Sequence, residues 1–392
     1  MYIKKRYLII CSVLLVIVTA FLTFSVMNPF GISGIGEFVK MRMGIGLLKD
    51  YFYEDIEDSA IADGAIAGAA YSANDPYTGY LPADMADDYM DSIDSEDYSG
   101  LGLYITNDPE DNTVTVVSPL SDSPGEKAGI VSGDKILAVD GEPVSGEDLD
   151  AASEKMKGKD NTNVTLTVLK KSTGETVDIT LTREVIKRET VEKKMIDDEI
   201  GYIEIIQFGI NTYDEFADSF NSLVDEGMKK LVIDLRNNPG GYMEIAVDIA
   251  DVFIDEGSNI VYTMDRKGRK QMYDATEGGI DIPIVILTNG GTASASEILT
   301  GALKDNEKAV SVGEKTYGKG VTQIPFTLFD GSLLKVTNSR YYTPSGKCID
   351  KEGIAPDYEV KMSEEKYANI SELTLEEDEQ LSKAIEILKT DA

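Results

Sequence analysis

From Leu8 to Met27 the chain runs without a charge, behind a basic amino end that holds Lys4, Lys5 and Arg6. As a helix rising about 1.5 Å per residue, this stretch is long enough to cross roughly 30 Å of hydrocarbon. It closes at Val26-Met27-Asn28-Pro29 with no small-residue cleavage pattern, which favours an uncleaved anchor over a signal peptide. The basic residues precede the segment and the next charge after it is Glu37, so residues 1–7 are expected to stay in the cytoplasm and everything after residue 30 to be exported. Phe38, Met41, Ile45, Leu48 and Phe52 then recur at spacings of three and four, and Ile61, Ala65 and Ala69 repeat the pattern after Ser59, a candidate cap. Two helices are predicted. A turn at Asn74-Asp75-Pro76-Tyr77 follows, and the acidic stretch Asp84 to Asp97 reads as a solvated helix and linker.

At Ser99 the period changes to two. Thr113–Val117 alternates, Lys135–Val139 runs as a strand into Asp140-Gly141, and Val164–Val168 is expected to pair with Val177–Leu181 across the turn Ser172–Glu175. Residues 99–186 thus form a small strand-rich domain. Beyond it, strand-like Tyr202–Ile206 leads to a helix that Thr212 and Glu215 would open as a capping box. The apolar strand Leu231–Leu235, a helix near Glu244–Phe253 and the apolar strand Ile284–Leu287 come next. Strands alternating with helices imply an α/β core whose sheet is partly parallel. Near the end, Thr374 with Glu377 would start a helix in which Leu381, Ile385 and Leu388 make a stripe narrow enough to suggest docking or dimerisation.

Composition sharpens this picture. The 392 residues include 37 Lys plus Arg against 70 Asp plus Glu, a formal charge of −33, which opposes nucleic-acid binding. Hydrophobic residues at 42% still argue for a folded chain. There is no histidine, so imidazole-based triads and zinc sites are excluded and proton transfer falls to Lys, carboxylates, Tyr or water. Cys11 and Cys348 provide no disulfide framework.

The strongest chemical signal lies after the strand Ile284–Leu287, where Thr288-Asn289-Gly290-Gly291-Thr292-Ala293-Ser294 enters a helix. A hydroxyl at such a helix start sits beside free backbone N–H groups that can stabilise an oxyanion. Ser294 with Glu297 is equally a capping box, and the two roles are compatible. A serine nucleophile without histidine needs another base, and the obvious candidate is a lysine held neutral by desolvation. Lys319, between Gly318 and Gly320 and before Val321, Gln323, Ile324 and Phe326, is the candidate, although a Gly-Lys-Gly turn can equally lie in solvent. Gly313–Lys319 also spells a phosphate loop, yet Gly320 stands where Ser or Thr would bind magnesium. Asp234–Gly241 closes a strand with a Gly-Gly turn able to present N–H groups. Gly100-Leu101-Gly102-Leu103 could hold a peptide carboxylate beside a strand edge.

In this order the segments resemble the carboxyl-terminal processing peptidases, or tail-specific proteases, over roughly residues 36–362. Asp75-Pro76-Tyr77-Thr78, Ser123-Pro124-Gly125-Glu126-Lys127-Ala128-Gly129, Asp234–Gly241, Thr292–Glu297 and Tyr341–Asp357 match that family's motifs. The resemblance implies a multidomain α/β fold: a crotonase- or Clp-like α/β protease core with an inserted β-rich PDZ domain and helical amino- and carboxyl-terminal segments. Its divisions would be a tail at 1–7, an anchor at 8–27, a helical region at 35–98, a PDZ domain at 99–186, the protease core at 187–361 and a helical tail at 362–392. It further implies Ser294 as nucleophile, Lys319 as general base and Gln323 as the residue that orients the lysine. Gly240 or Gly241 with Ala295 would form the oxyanion hole, and Gly100, Leu101, Gly102 and Leu103 the carboxylate loop. No metal or organic cofactor is implied. The expected partners are proteins or peptides with free carboxyl termini, the membrane through the amino-terminal helix, and a second copy of the chain through the terminal helices. Departures are Thr292 for the first Ser of its motif, Leu101 for the usual Ile, and Val321-Thr322 before Gln323. The whole reads as a single-pass serine endopeptidase of the cell membrane facing outward, the alternative being a catalytically silent PDZ scaffold on a protease fold.

Overall fold

The computed structural model describes residues 5–27, 35–94, 98–109, 111–120, 122–276, 278–363, 366, 367, 370 and 373–390. Residues 1–4, Asn28–Pro29 and 95–97, on which parts of the tail, anchor and acidic-linker readings fall, lie outside them. The chain divides into two units, residues 1–80 and 81–392.

The first unit is helical: α1 (Lys5–Met27), α2 (Ile35–Tyr51) and α3 (Asp58–Tyr71). The side chains of α1 are described without a break over residues 10–20, and among the described residues no helix is long and apolar enough to cross a membrane. The α2 stripe forms as a helix, but Met41, Leu48 and Phe52 stay exposed. The N-cap of α3 is Glu57 rather than Ser59.

The second unit opens with α4 (Ala83–Asp94) and continues into a strand-rich module. In that module β1 is Tyr98–Gly100, β2 Leu103–Asp108, β3 Thr113–Pro119, α5 Pro124–Lys127, β4 Lys135–Val139, α6 Leu149–Met156, β5 Asn163–Leu169, β6 Thr176–Thr182 and β7 Glu184–Ile186. The sheet runs β2-β3-β4-β5-β6, all antiparallel. The hairpin β5-β6 aligns Val164 with Leu181 and Val168 with Val177, the register that alternation dictates. Val114, Val116, Ile136, Val164, Leu166 and Val168 point inward with Leu101, Ala152 and Met156. At the root, β1 pairs antiparallel with β7, so the chain enters and leaves the module side by side.

The larger module follows: β8 (Val191–Met195), β9 (Ile200–Ile205), α7 (Thr212–Asp225), β10 (Lys230–Asp234), α8 (Met243–Asp251), β11 (Asn259–Asp265), β12 (Lys270–Asp274), β13 (Ile284–Thr288), α9 (Ala295–Asp305), β14 (Ala309–Gly313), β15 (Val321–Thr327), β16 (Leu333–Tyr342), β17 (Tyr358–Glu359) and α10 (Glu379–Thr390). Its main sheet has the order β8-β9-β10-β13-β14-β17, parallel except for β8 against β9. Successive residues serve opposite faces, as in any sheet covered on both sides. Ile203, Ile205, Ile233 and Ile286 pack on Phe216 and Phe220 of α7, Leu299 of α9 and Phe253 in the turn after α8. Tyr202, Val232, Val285 and Leu287 pack on Leu381, Ala384, Ile385 and Leu388 of α10.

The carboxyl-terminal stripe is therefore spent on the chain's own sheet, and a homodimer through α10 loses its surface. Burial of each aliphatic side chain there contributes roughly 1.5–3 kcal/mol. Arg236 adds a polar lock: its guanidinium pairs with Asp234 at 2.5 Å and Asp378 at 2.9 Å and donates to Gln380 Oε1 at 3.2 Å. Two capping expectations change. Asn211, not Thr212, caps α7, while the Thr212 hydroxyl accepts from Gly209 N (2.8 Å) and Glu215 accepts from Thr190 N (2.7 Å). Thr374 and Glu377 do bond (2.7 Å), but they close a turn ahead of α10.

Candidate active site

Three loops leave the carboxyl ends of the parallel strands β10, β13 and β14, the edge at which open α/β sheets place their sites. The loop after β10 carries Arg236–Tyr242, that after β13 carries Asn289–Ser294, and that after β14 carries Glu314–Gly320. Asn238, fully buried, joins the first two: its carbonyl accepts from Ala293 N (3.0 Å) and from the Ser296 hydroxyl (3.1 Å), and its Nδ2 donates to Ile205 O (2.6 Å). Asn289 Oδ1 accepts from Asn237 N and Gly291 N, both at 2.9 Å. Tyr317 N donates to Thr292 O (3.0 Å), which draws in the third loop.

Ser294 stands at the start of α9 with φ +57° and ψ −117°. This lies in the left-handed half of backbone space, which a side chain occupies only when the surroundings impose it. Here they do. Gly240 passes so close that a Cβ there would lie 2.7 Å from Ser294 Cβ and 2.9 Å from Ala295 N. Glu297 accepts the Ser294 N–H at 3.0 Å. The same carboxylate accepts from the Thr316 hydroxyl (2.5 Å), Gly318 N (2.8 Å) and Lys319 N (2.9 Å). Tyr341, also buried, sets its hydroxyl within hydrogen-bond distance of the carbonyls of Lys319 and, at 3.1 Å, Ser294. One acid and one phenol thus bind the main chains of Ser294 and Lys319 from both sides.

Ser294 and Lys319 line one cavity of about 700 Å³ together with Gly240, Gly241, Gln323, Ile298, Met243 and Tyr341. Burial holds the Lys319 ammonium below its ordinary pKa, nearby Lys335 pushes the same way, and Glu297 opposes both. Burial also raises Glu297, against its four donors. A lysine with a lowered pKa beside a serine can accept its proton near neutrality.

The two glycines divide their work. Gly240 N donates to Asn238 Oδ1 (2.8 Å), so its amide is engaged. Among the described residues the N–H groups of Gly241 and Ala295 donate no hydrogen bond, which leaves them for an oxyanion. Gln323 lines the cavity, but its amide donates to Val321 O (3.4 Å) and Thr337 Oγ1 (3.5 Å), beside the irregularity in the β15-β16 register. The phosphate-loop reading fails for a positive reason: the N–H groups of Gly318 and Lys319 are spent on Glu297, and β15 follows where a helix would be required.

Sequence reasoning missed the reach of Glu297, treated as a cap, and the hydroxyl of Tyr341, seen only as a motif's first letter. It also took Asp84–Asp97 for a solvated helix, whereas Tyr89, Met90 and Ile93 of α4 line the cavity. The period of that helix is masked by its acidic residues.

In the smaller module the carbonyls of Leu101 and Gly102 accept from Gly125 N and Leu120 N, both at 2.9 Å. Gly100, Leu101 and Gly102 are buried, and among the described residues the N–H groups of Leu101 and Gly102 donate no hydrogen bond. The strand that follows, β2 from Leu103, is an edge of its sheet with α6 packed near it. Such an edge accepts an extended peptide.

Comparison with known proteins gives two family matches, peptidase family S41 over residues 199–360 and PDZ domain over residues 115–170. The carboxyl-terminal-processing protease of Synechocystis is 39% identical over 329 residues, covering 83% of this chain and 76% of that protein. The carboxy-terminal processing protease CtpA of Bacillus subtilis is 35% identical over 331 residues, covering 84% and 70%. A solved S41 protease of Bacteroides fragilis superposes with a TM-score of 0.51 at 18% identity over 82% of this chain and 88% of that one, a likeness of fold.

Proposed function

The chain belongs to peptidase family S41 as a serine-type carboxyl-terminal-processing peptidase with a PDZ domain, and on that premise we propose that Ser294 and Lys319 are its catalytic dyad. The observation that carries this reading is the shared tether of the two residues by Glu297 and Tyr341 at one cavity. Ser294 Oγ attacks the substrate carbonyl carbon while Lys319 Nζ takes the hydroxyl proton. Gly241 N–H and Ala295 N–H receive the oxyanion. When the intermediate collapses, Lys319 returns the proton to the leaving amine, and water then cleaves the Ser294 ester.

The PDZ domain selects substrates by a free carboxyl end laid along β2, with the carboxylate at Leu101 and Gly102. The apolar run Leu8–Met27 anchors the enzyme with its catalytic part outside the cytoplasm, a reading supported by the charge asymmetry of the sequence. A dimer through the terminal helices is left with the exposed Met41 and Leu48 of α2, and Phe52 just after it, as its surface.

The test is an acylating probe followed by peptide turnover. The probe should label Ser294 in the wild type and in neither Ser294→Ala nor Lys319→Ala. The double variant should be no slower than either single one, because the two residues act as a unit. Absence of labelling would leave the silent PDZ scaffold as the reading, and additive losses would dissolve the dyad.

A further inference from the structure

The strand β16 places a second lysine in the cavity. Lys335 lines the same wall as Ser294 and Lys319 and is half-buried. Its ammonium lies 3.2 Å from the Tyr89 hydroxyl and 4.4 Å from the centroid of that ring. A cation over an aromatic face is fixed and partly dehydrated, and an ammonium has three donors, so donors remain for another acceptor. Among the described residues no carboxylate pairs with Lys335, although the chain holds 70 acidic residues. Other partly buried lysines do pair, Lys304 with Asp357 and Lys308 with Asp255. Glu244 lines the same cavity without reaching it. The remaining lining mixes apolar side chains, among them Met90, Ile93, Met243 and Ile298, with neutral polar ones such as Gln207, Gln271 and Asn338.

We propose that Lys335 is a specificity-determining residue that receives a carboxylate of the substrate chain while Ser294 engages the scissile bond. An ammonium with no carboxylate partner among the described residues, inside a protein of charge −33, binds a carboxylate more strongly than it binds a neutral peptide carbonyl. The carboxylate has two sources, the terminal carboxyl group of a short tail or an Asp or Glu side chain beside the cleaved bond. This inference rests on the dyad reading, and the experiment separates the two.

Short fluorogenic peptides are compared as isosteric pairs: Glu against Gln at each position flanking the cleaved bond, and free acid against amide at the carboxyl end. In the wild type one pair should favour the carboxylate by about tenfold in kcat/KM, and the position of that pair names the source. Lys335→Met should bring the ratio to about one, Lys335→Glu should invert it in favour of the neutral member of that pair, and Lys335→Arg should keep it. If Lys335→Met fails to fold, the ratio in Lys335→Gln decides. A wild-type ratio near one for every pair, or a ratio that survives loss of the lysine, overturns the proposal. Cleavage of the neutral peptides by the wild type, lost in Ser294→Ala, reports on the dyad independently of any ratio.

Discussion

Glu297→Gln should disable the enzyme far out of proportion to the loss of one charge. The two carboxylate oxygens accept four donors, Thr316 Oγ1 and Gly318 N at Oε1, and Ser294 N and Lys319 N at Oε2. An amide offers one acceptor oxygen, so whichever way it turns, two donors face an NH₂ group. Each buried donor left unsatisfied costs about 1–3 kcal/mol, a loss of roughly 2–6 kcal/mol in total. Flipping the amide to keep Thr316 and Gly318 releases the backbone of both Ser294 and Lys319. A displacement of about 1 Å at reacting groups is worth roughly a hundredfold in rate. The assay pairs a urea midpoint with peptide turnover and its pH profile. The profile carries the positioning argument, because removing the carboxylate also removes its attraction for the Lys319 ammonium. The rising limb should therefore move to lower pH in whatever activity remains. A variant within twofold of wild-type turnover, with an unchanged midpoint and limb, would refute this account of the tether.

Three other predictions rest on named charges. Because burial lowers the Lys319 pKa, the hydrolysis rate should rise with pH through that lowered value, and a rate that falls from pH 6 to 9 on stable protein excludes neutral Lys319 as the base. The same shift fixes a sign for stability: the unfolded lysine binds a proton more readily, so the folding penalty is complete below the lowered pKa and fades as pH rises toward the ordinary value of 10.5. Lys319→Met should thus be more stable than the wild type at low pH, by a margin that shrinks as pH rises, as denaturation midpoints across pH would report. Asp378→Ala leaves the buried Arg236 with Asp234 as its one carboxylate beside the Gln380 amide, and removes the acceptor of Leu381 N (2.9 Å). It should cost about 3 kcal/mol in a urea titration, toward the low end for a broken buried pair because one partner remains, and an unchanged midpoint would deny the lock on α10.

Much of the fold was legible where a period decides it. Alternation in Val164–Val168 and Val177–Leu181 determines both the hairpin and its register, since a slip by one residue would turn every valine outward. The continuous apolar runs Leu231–Leu235 and Ile284–Leu287 declare strands buried on both faces. Legibility stops where a side chain answers to something distant. The stripe on α10 states that a partner exists, but not that it is the face of the chain's own sheet rather than a second copy. Asp84–Asp97 hides Tyr89 and Ile93 among carboxylates, so composition outweighs a period that only the cavity makes visible.

The site shows the same division in finer form. A Ser before a helix, a Lys between glycines and a Gly-Gly turn are each common, and their chemistry becomes specific only when three strand ends bring them together. The residue that does this joining was in plain view as the Glu of a capping box. A cap is local, however: its reach back to Ser294 N follows from three residues of spacing, whereas its grip on Lys319 N spans 22 residues of chain. A motif therefore names the residues able to bind without saying which donors they will meet. Gln323 illustrates the converse. The family resemblance gives it a role beside Lys319, and the irregularity at Thr322–Gln323 sets its amide 3.5 Å from Thr337 Oγ1. Register along one strand, decided by its neighbour β16, thus sets where Gln323 meets the cavity, which spacing along the sequence leaves open.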